Sequence, residues 1–524
     1  IAVYNEYWET GGGGEMFCGG IAQALAESGH EVTILAHRQF DTDALSERLS
    51  LDLTRCRLSI VDRGAAAVAA ASSEYDLFVN GSYLSPVVNR ASRGLYVVHF
   101  PSRPWSRPPG RAANLYRSLL GSSDVRFEWG EGFHEPDGGG GTVWTSGEAS
   151  ISVISDAEEP RSVNVLLGRA RPAAAGPADV EVLVDGEVEA RATVGVESPS
   201  LADRVRNRLP EALEVTVPPG ATTEVTIRCN PFVPEQLGLG ADHRELGVRF
   251  HGIELGSRFY SVVARLLPWL NHRLTQQDAT SVFLRSYDRV ASNSEFTRGF
   301  VESWWGIEDS PVLYPPVHLR PAEGAKKRSI AAVGRFFDKD SGHSKKQLEL
   351  VAAFRRLRAS GIDDWTLDLV GGVDQHARGY FDEVQRAAEG LPIRFHANAD
   401  GLVRDRVISE ASIFWHGTGF GEDPERAPEL MEHFGISTVE AMSSGAVPVV
   451  FAGGGQNEIV TEGVGLRWRT LDELVSATRL LIESPETLRS MSAASVERSQ
   501  TFGFAAFSQR LGSIVDELLE SAGD

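Results

Sequence analysis

Apolar residues along the chain change their rhythm twice. The opening gives an apolar run (IAVY), four consecutive glycines at 11–14, then Met16, Ile21, Ala24 and Leu25 at helical spacing. Gly29 stops that helix before a second apolar run, EVTILA. Strand, glycine loop, helix and strand form a βαβ unit of a parallel sheet. YDLFVNGSY (75–83) and GLYVVHFPS (94–102) extend it. From about residue 122 the period falls to two, in ASISVIS, SVNVLLG, DVEVLVDGEVEARATV, ALEVTVPPGATTEVTIRCN and GVRFHGI. Asp185-Gly186 stands where a hairpin turn belongs and Pro218-Pro219-Gly220 marks another reversal, so residues 122–256 are predicted to form an inserted β-sandwich.

Helical spacing returns in RFYSVVARLLPWLNHRL and in YDRVASNSEFTRGFVESWW, a strand, turn and helix. Pro315-Pro316 in VLYPPVHL cannot continue a helix and suits an interdomain linker. A second βαβ series follows in RSIAAVGRF, WTLDLVGG, IRFHANA, ASIFWHG and AVPVVFAGG. The expected division is an α/β unit from 1–121 and 257–311, the sandwich at 122–256, a second α/β unit at 312–500, and a C-terminal helix (501–524) crossing back to the first. Two doubly wound halves joined by a linker place a ligand in the cleft between them, at the carboxyl ends of their strands.

Composition supports several cores in one chain. At 524 residues the protein exceeds a single domain, and 42% hydrophobic, 23% charged residues describe a globular chain. The formal charge of −21 argues against nucleic acid as the main partner, so any anion must be met locally. Cys18, Cys56 and Cys229 lie far apart without zinc or disulfide spacing, as in a reducing cytoplasm. The first residues lack the layout of a signal peptide and begin within a strand pattern, so a residue or two is expected before them. No apolar run approaches the length of a membrane span, and a cytoplasmic protein is expected, with peripheral contact on the inner face of the membrane left open.

Candidate chemistry gathers in the second half. Arg335 follows an apolar strand and Lys345 opens the next helix, two cations at the mouth of a βα loop suited to a diphosphate. In MEHFGISTVEAMSSGAV, Glu432 and Glu440 flank Phe434-Gly435-Ile436-Ser437, where a loop turns into a helix. Ser437 and Glu440 have the form of a capping box, which would make Glu440 structural. A helix starting there also aims free N–H groups at the cleft, and capping does not account for Glu432.

The E-x7-E pair, the GRF…SKKQ loop, the glycine loop, VVHFP (97–101) and AGGGQNEIV (452–460) together resemble the family 4 retaining glycosyltransferases of the GT-B fold, over about 1–121 and 257–524. The fold class implied is α/β, GT-B, with two Rossmann-like domains facing a cleft and an all-β sandwich inserted in the N-terminal one. Through the resemblance, Glu432 contacts the transferred sugar, Glu440 accepts from the nucleotide ribose, and the amides of Phe434, Gly435 and Ile436, with Ser437, line the sugar and diphosphate. Arg335 and Lys345 neutralise the leaving group, with Lys346 a neighbouring candidate. Gly12 and Gly13 admit the phosphates to the first domain's backbone, and His99 lies near the reacting centre. The implied partners are a nucleoside diphosphate hexose and a glycan or lipid-linked glycan acceptor, for polysaccharide or glycoconjugate assembly. No cofactor or metal is expected, and a homo-oligomer is left open. Asp338-Lys339-Asp340 matches the metal motif of the other glycosyltransferase fold, a three-residue match that chance supplies often. A glycan-binding scaffold without activity, or another GT-B enzyme such as a nucleotide-sugar epimerase, is the alternative.

The sandwich has no place in that family pattern. Trp129, Phe133 and Trp144 could stack on sugars or fill a core, and Arg103, Arg107, Arg111 and Arg117 with Trp105 and Tyr116 could rest on an anionic membrane or pack as a loop.

Overall fold

The two apolar series fold into two parallel sheets with the same strand order. In the computed structural model, which describes residues 1–102, 125–134, 143–155, 159–197, 200, 210–220, 222–239, 242–254, 283–321, 325–337, 344–375 and 377–520, the first sheet comprises β1 (Ala2–Tyr4), β2 (Thr33–Ala36), β3 (Arg57–Ile60), β4 (Leu77–Asn80) and β5 (Arg93–Val98). Its sixth strand (Arg289–Ser292) arrives only after the intervening β domain and pairs in parallel with β5. The order is β3-β2-β1-β4-β5-sixth strand. Helix α1 (Gly13–Glu27) returns the chain from β1 to β2, with Ile21, Ala24 and Leu25 buried. Gly29, in the left-handed region, ends that turn.

Between β5 and the sixth strand, two sheets, antiparallel but for one parallel edge pairing of Ala170–Arg171, share one core. One runs from Val125–Trp129 through Glu148–Ser155, Thr222–Cys229, Ala178–Val184 and Glu187–Val196 to Ala170–Arg171; the other orders Glu211–Val217, Arg161–Leu167, Arg249–Glu254 and Val143–Trp144. Alternate residues from both, such as Ile151, Val153, Val165, Val180, Val215 and Ile227, meet in the middle. Asp185-Gly186 closes a hairpin with both residues at positive φ. The Pro218-Pro219-Gly220 reversal instead carries the chain from one sheet to the other. Phe133 and Trp144 are 5% exposed, with Phe133 against Phe250 and Trp144 against Phe232, so they are core and not a sugar platform. The side chain of Trp129, the stretch 103–121, the helix expected at 258–274 and Asp338-Lys339-Asp340 lie outside the described residues.

The second α/β half contains Lys327–Val333, Thr366–Gly371, Ile393–Ala397, Ala411–His416, Val447–Phe451 and Leu466–Trp468. Numbered one to six within this half, they again read 3-2-1-4-5-6. In this order the topological switch lies between strands one and four, and the loops that leave those strands open toward a ligand. The last helix, α2 (Phe504–Glu520), puts Phe507, Leu511, Ile514, Val515 and Leu518 into the core of the first half beside α1. No helix among the described residues is long and apolar enough to cross a membrane.

Candidate active site

The loops from the two switch points meet in a cleft of about 750 Å³. Gly12, Gly13, His99, Arg335, Lys345, Glu432, Phe434, Gly435, Ile436, Ser437 and Glu440 all line it. Positions from Gly11 to Glu440 thus share one cavity. Its walls carry Arg48, Arg320, Arg335, Lys345 and Arg404 against Glu432 and Glu440, a local cationic excess in a strongly acidic chain.

Lys345 lies just before its helix, which begins at Gln347 and takes Lys346 in a left-handed conformation as its cap. Gly334 lets it approach the strand end, since a Cβ there would stand 2.5 Å from Lys345 Cγ. Lys345 Nζ donates to Glu432 Oε2 at 2.7 Å, whereas Lys346 Nζ turns away to Glu422 at 2.6 Å. His416, the last residue of the strand Ala411–His416, donates from Nε2 to the same Glu432 oxygen at 2.9 Å. Burial alone would raise the Glu432 carboxyl; the Lys345 ammonium and then His416 outweigh it and hold Glu432 well below the usual carboxylate range. Glu432 is therefore an ionised acceptor at neutral pH.

Gly435, at φ 121°, turns the chain into helix α3 (Ile436–Ser443). A side chain would be strained there and would meet Gln456 Nε2 at 2.3 Å, where that buried amide donates to Thr438. The Gly455 N–H of the AGGGQ loop holds the Glu432 carbonyl at 2.7 Å, which fixes the turn from below. The first N–H groups of α3 have no acceptor within the helix and open on the cleft. No capping box forms here: Ser437 lies inside the helix, and the buried Glu440 carboxylate pairs with Arg404 on the helix Gly401–Glu410. Arg404 is drawn to Glu440 more strongly than a backbone N–H would be, because both partners are charged.

Arg335, two residues beyond its strand, reaches across to the glycine loop. A Cβ on Gly12 would lie 3.3 Å from its Nη2, and among the described residues its guanidinium has no hydrogen-bond partner. The Gly12 N–H is not free as expected, because buried Glu15 accepts it at 2.6 Å together with the Thr10 hydroxyl. Gly13 keeps close approach, with only Ile436 Cδ1 at 3.3 Å from a would-be Cβ. His99 donates from Nε2 to the Gly81 carbonyl at 2.8 Å, and burial lowers its basicity, so a neutral imidazole stands at the cleft.

Two contacts bridge the halves beside this site. Phe100 stacks on His433 with ring centroids 4.2 Å apart. Glu458 accepts from the Glu295 and Phe296 amides, at 2.9 and 3.2 Å, and from the Tyr314 hydroxyl at 2.9 Å. Glu458→Ala removes all three acceptor contacts; the radius of gyration from X-ray scattering is expected to rise and nucleotide affinity to fall about tenfold, the scale of a lost hydrogen bond to a charged group. An unchanged scattering profile would mean that Glu458 does not set the closure of the halves, which the ring stack and α2 would then hold.

His416, Arg404 and Glu15 join the site without having been expected there. His416 ends an apolar strand at the sheet's carboxyl edge, a signal that sequence offers; Arg404 carries none. Among the described residues no group of three or more His, Cys, Asp or Glu could hold a metal ion.

Residues 320–498 match the sequence profile of glycosyl transferases group 1. A curated relative, a GDP-Man:Man(3)GlcNAc(2)-PP-Dol alpha-1,2-mannosyltransferase from Dictyostelium discoideum, is 23% identical over 270 residues, 46% of this chain. The chain spans about half of that relative's length, 51%. Two solved structures align over nearly whole chains. Sucrose-phosphate synthase from Thermosynechococcus elongatus gives a TM-score of 0.52 at 14% identity, covering 99% of both chains. Anabaena Alr3699/HepE in complex with UDP gives 0.53 at 13% identity, covering 99% of this chain and 100% of that one. The fold is GT-B, with two Rossmann-like domains facing the cleft.

Proposed function

We propose that the protein is a retaining glycosyltransferase that moves a hexose from a nucleoside diphosphate sugar to a glycan or lipid-linked glycan. The observation that carries this reading is the convergence of Arg335, Lys345, the N-terminus of α3 and ionised Glu432 on one cleft. The relatives fit it: one is named for GDP-Man as donor, and HepE has been solved in complex with UDP-glucose.

The donor's diphosphate lies between Arg335 and the first amides of α3, with Glu440 toward the ribose and Glu432 on the sugar hydroxyls. As the anomeric C–O bond to phosphate breaks, negative charge grows on the leaving oxygen, where guanidinium and amides are already in place. The acceptor hydroxyl attacks on the same face, forms the new C–O bond and passes its proton to the departing phosphate. Both carboxylates hold other groups, Glu432 with Lys345 and His416 and Glu440 with Arg404, so neither is assigned as a nucleophile. Arg335 and Lys345 supply the positive potential that a divalent ion would otherwise provide, and activity in chelator is expected.

Thermal unfolding in UDP-, GDP-, ADP- and dTDP-sugars tests this. A bound nucleotide at about 100 times its dissociation constant adds roughly 2.7 kcal/mol. One base class is expected to stabilise the protein, and proton NMR of the product is expected to show the donor's anomeric configuration kept. If no nucleotide sugar stabilises it, the reading fails; an inverted product removes the same-face step.

A further inference from the structure

A second cavity, of about 250 Å³, opens where the first α/β half meets the sandwich. The half contributes Glu6, Tyr7, Phe40 and Arg63; the sandwich contributes Val233, Glu235 and His243. A smaller recess continues it toward Tyr83, sharing Glu6, Tyr7 and Arg63. Glu6 lies two residues beyond β1, at the carboxyl edge of the sheet where open α/β folds present ligand-binding groups. We propose that this seam binds one neutral sugar ring, and that the ring belongs to the acceptor glycan. The second clause rests on the transferase reading; the first does not.

Charge and shape select that class of ligand. Glu9 pairs with Arg38 at 3.6 Å, and Glu235 accepts from His243 Nδ1 at 2.6 Å, so both carboxylates already have partners. Both ring nitrogens of His37 are taken, by the Tyr4 hydroxyl and the Val61 carbonyl. In the cavity itself the Glu6 carboxylate and the Arg63 guanidinium remain, and among the described residues neither side chain has a hydrogen-bond partner; the Glu245 carboxylate lines only the adjoining recess. One acceptor and one fork of donors of opposite charge suit a polyol better than an anion, since hydroxyls both donate and accept. Tyr7 and His243 lie side by side, ring centroids 5.7 Å apart, and with Phe40 give the apolar wall that the C–H face of a sugar needs. Burial pushes the Glu6 carboxyl up to about 7, with Arg63 and Arg244 pulling the other way, so near neutral pH it can present either a proton or a lone pair to a hydroxyl. The volume falls just below the roughly 300 Å³ at which small-ligand sites begin, which fits one ring and not an oligosaccharide.

The seam adjoins the cleft. Trp8, Glu9 and Thr10 wall the cavity, and Gly11 to Gly13 of the same loop line the cleft. Tyr83 stands over His99, with centroids 6.3 Å apart, from the recess side. A glycan held at the seam would therefore extend over residues 8–13 to the reacting centre, which gives the sandwich its part in choosing the acceptor.

Saturation-transfer NMR with the methyl glycosides of mannose, glucose, galactose and N-acetylglucosamine tests the site on the full chain, beside nucleotide-sugar thermal shifts on the same samples. At least one glycoside is expected to bind wild type and to bind Glu6→Ala and Arg63→Ala about tenfold more weakly, with nucleotide shifts unchanged. His243→Ala, on the sandwich side, serves if either variant unfolds. No glycoside binding to wild type, or equal binding to all variants, overturns the proposal. Glycoside binding lost in the variants without any nucleotide shift keeps the sugar site and overturns its link to transfer.

Discussion

Arg335→Ala is expected to lower transfer about 10²–10³-fold, the scale seen when one preorganised charge-stabilising donor is removed, and to erase nucleotide stabilisation. Its unliganded stability should stay within about 0.5 kcal/mol of wild type. The two halves of this expectation follow from one fact: the guanidinium faces the cleft beside Gly12 with no hydrogen-bond partner among the described residues, so truncation leaves no protein group unpaired. Activity assays and urea melts on the variant check both. Near-normal turnover would remove Arg335 from the leaving-group side.

Lys345→Ala is expected to fail in both respects. Lys345 and Glu432 are 23% and 18% exposed, mostly buried, and truncation leaves a carboxylate held only by His416. Stability should drop by about 2–3 kcal/mol, somewhat under the ~3–5 kcal/mol of a fully buried broken pair. Lys345→Ala with Glu432→Gln should recover most of that stability and none of the activity. The acid limb gives an independent reading. Because the folded Glu432 titrates below its unfolded value, its contribution is present above the ordinary carboxylate range of about 4.3 and is lost as pH falls through its lower folded value. Without Lys345 the folded value rises, so acid unfolding should begin at higher pH. Identical acid midpoints in variant and wild type would show that His416 alone sets the carboxylate.

Much of this was open to a reader of the chain because the informative patterns are local. The βαβ spacing, the GRF…SKKQ loop and the eight-residue step from Glu432 to Glu440 each sit within one or two elements. Partners chosen by tertiary approach were not legible. Ser437 and Glu440 match a capping box by spacing, yet Arg404, on a separate helix, takes the carboxylate instead. Gly12 reads as an open phosphate contact until Glu15 is seen to accept its N–H. Phe133 and Trp144 look the same in sequence whether they face a sugar or a core, and only the packing of Phe250 and Phe232 against them distinguishes the two. Nothing in the spacing of Glu6 and His243 places them at one seam.

The first half's core includes Leu511, Ile514 and Val515, and its sheet is completed by a strand at 289–292. The order in which this chain leaves the ribosome is therefore not the order in which its cores can close. The sandwich and the second half have all their described strands while α2 is still inside the exit tunnel, and α1 must wait, its apolar face uncovered, for a helix made long after it. A nascent chain halted shortly before residue 504 would expose the apolar face of α1 to chaperones and proteases, and not the region where synthesis stopped.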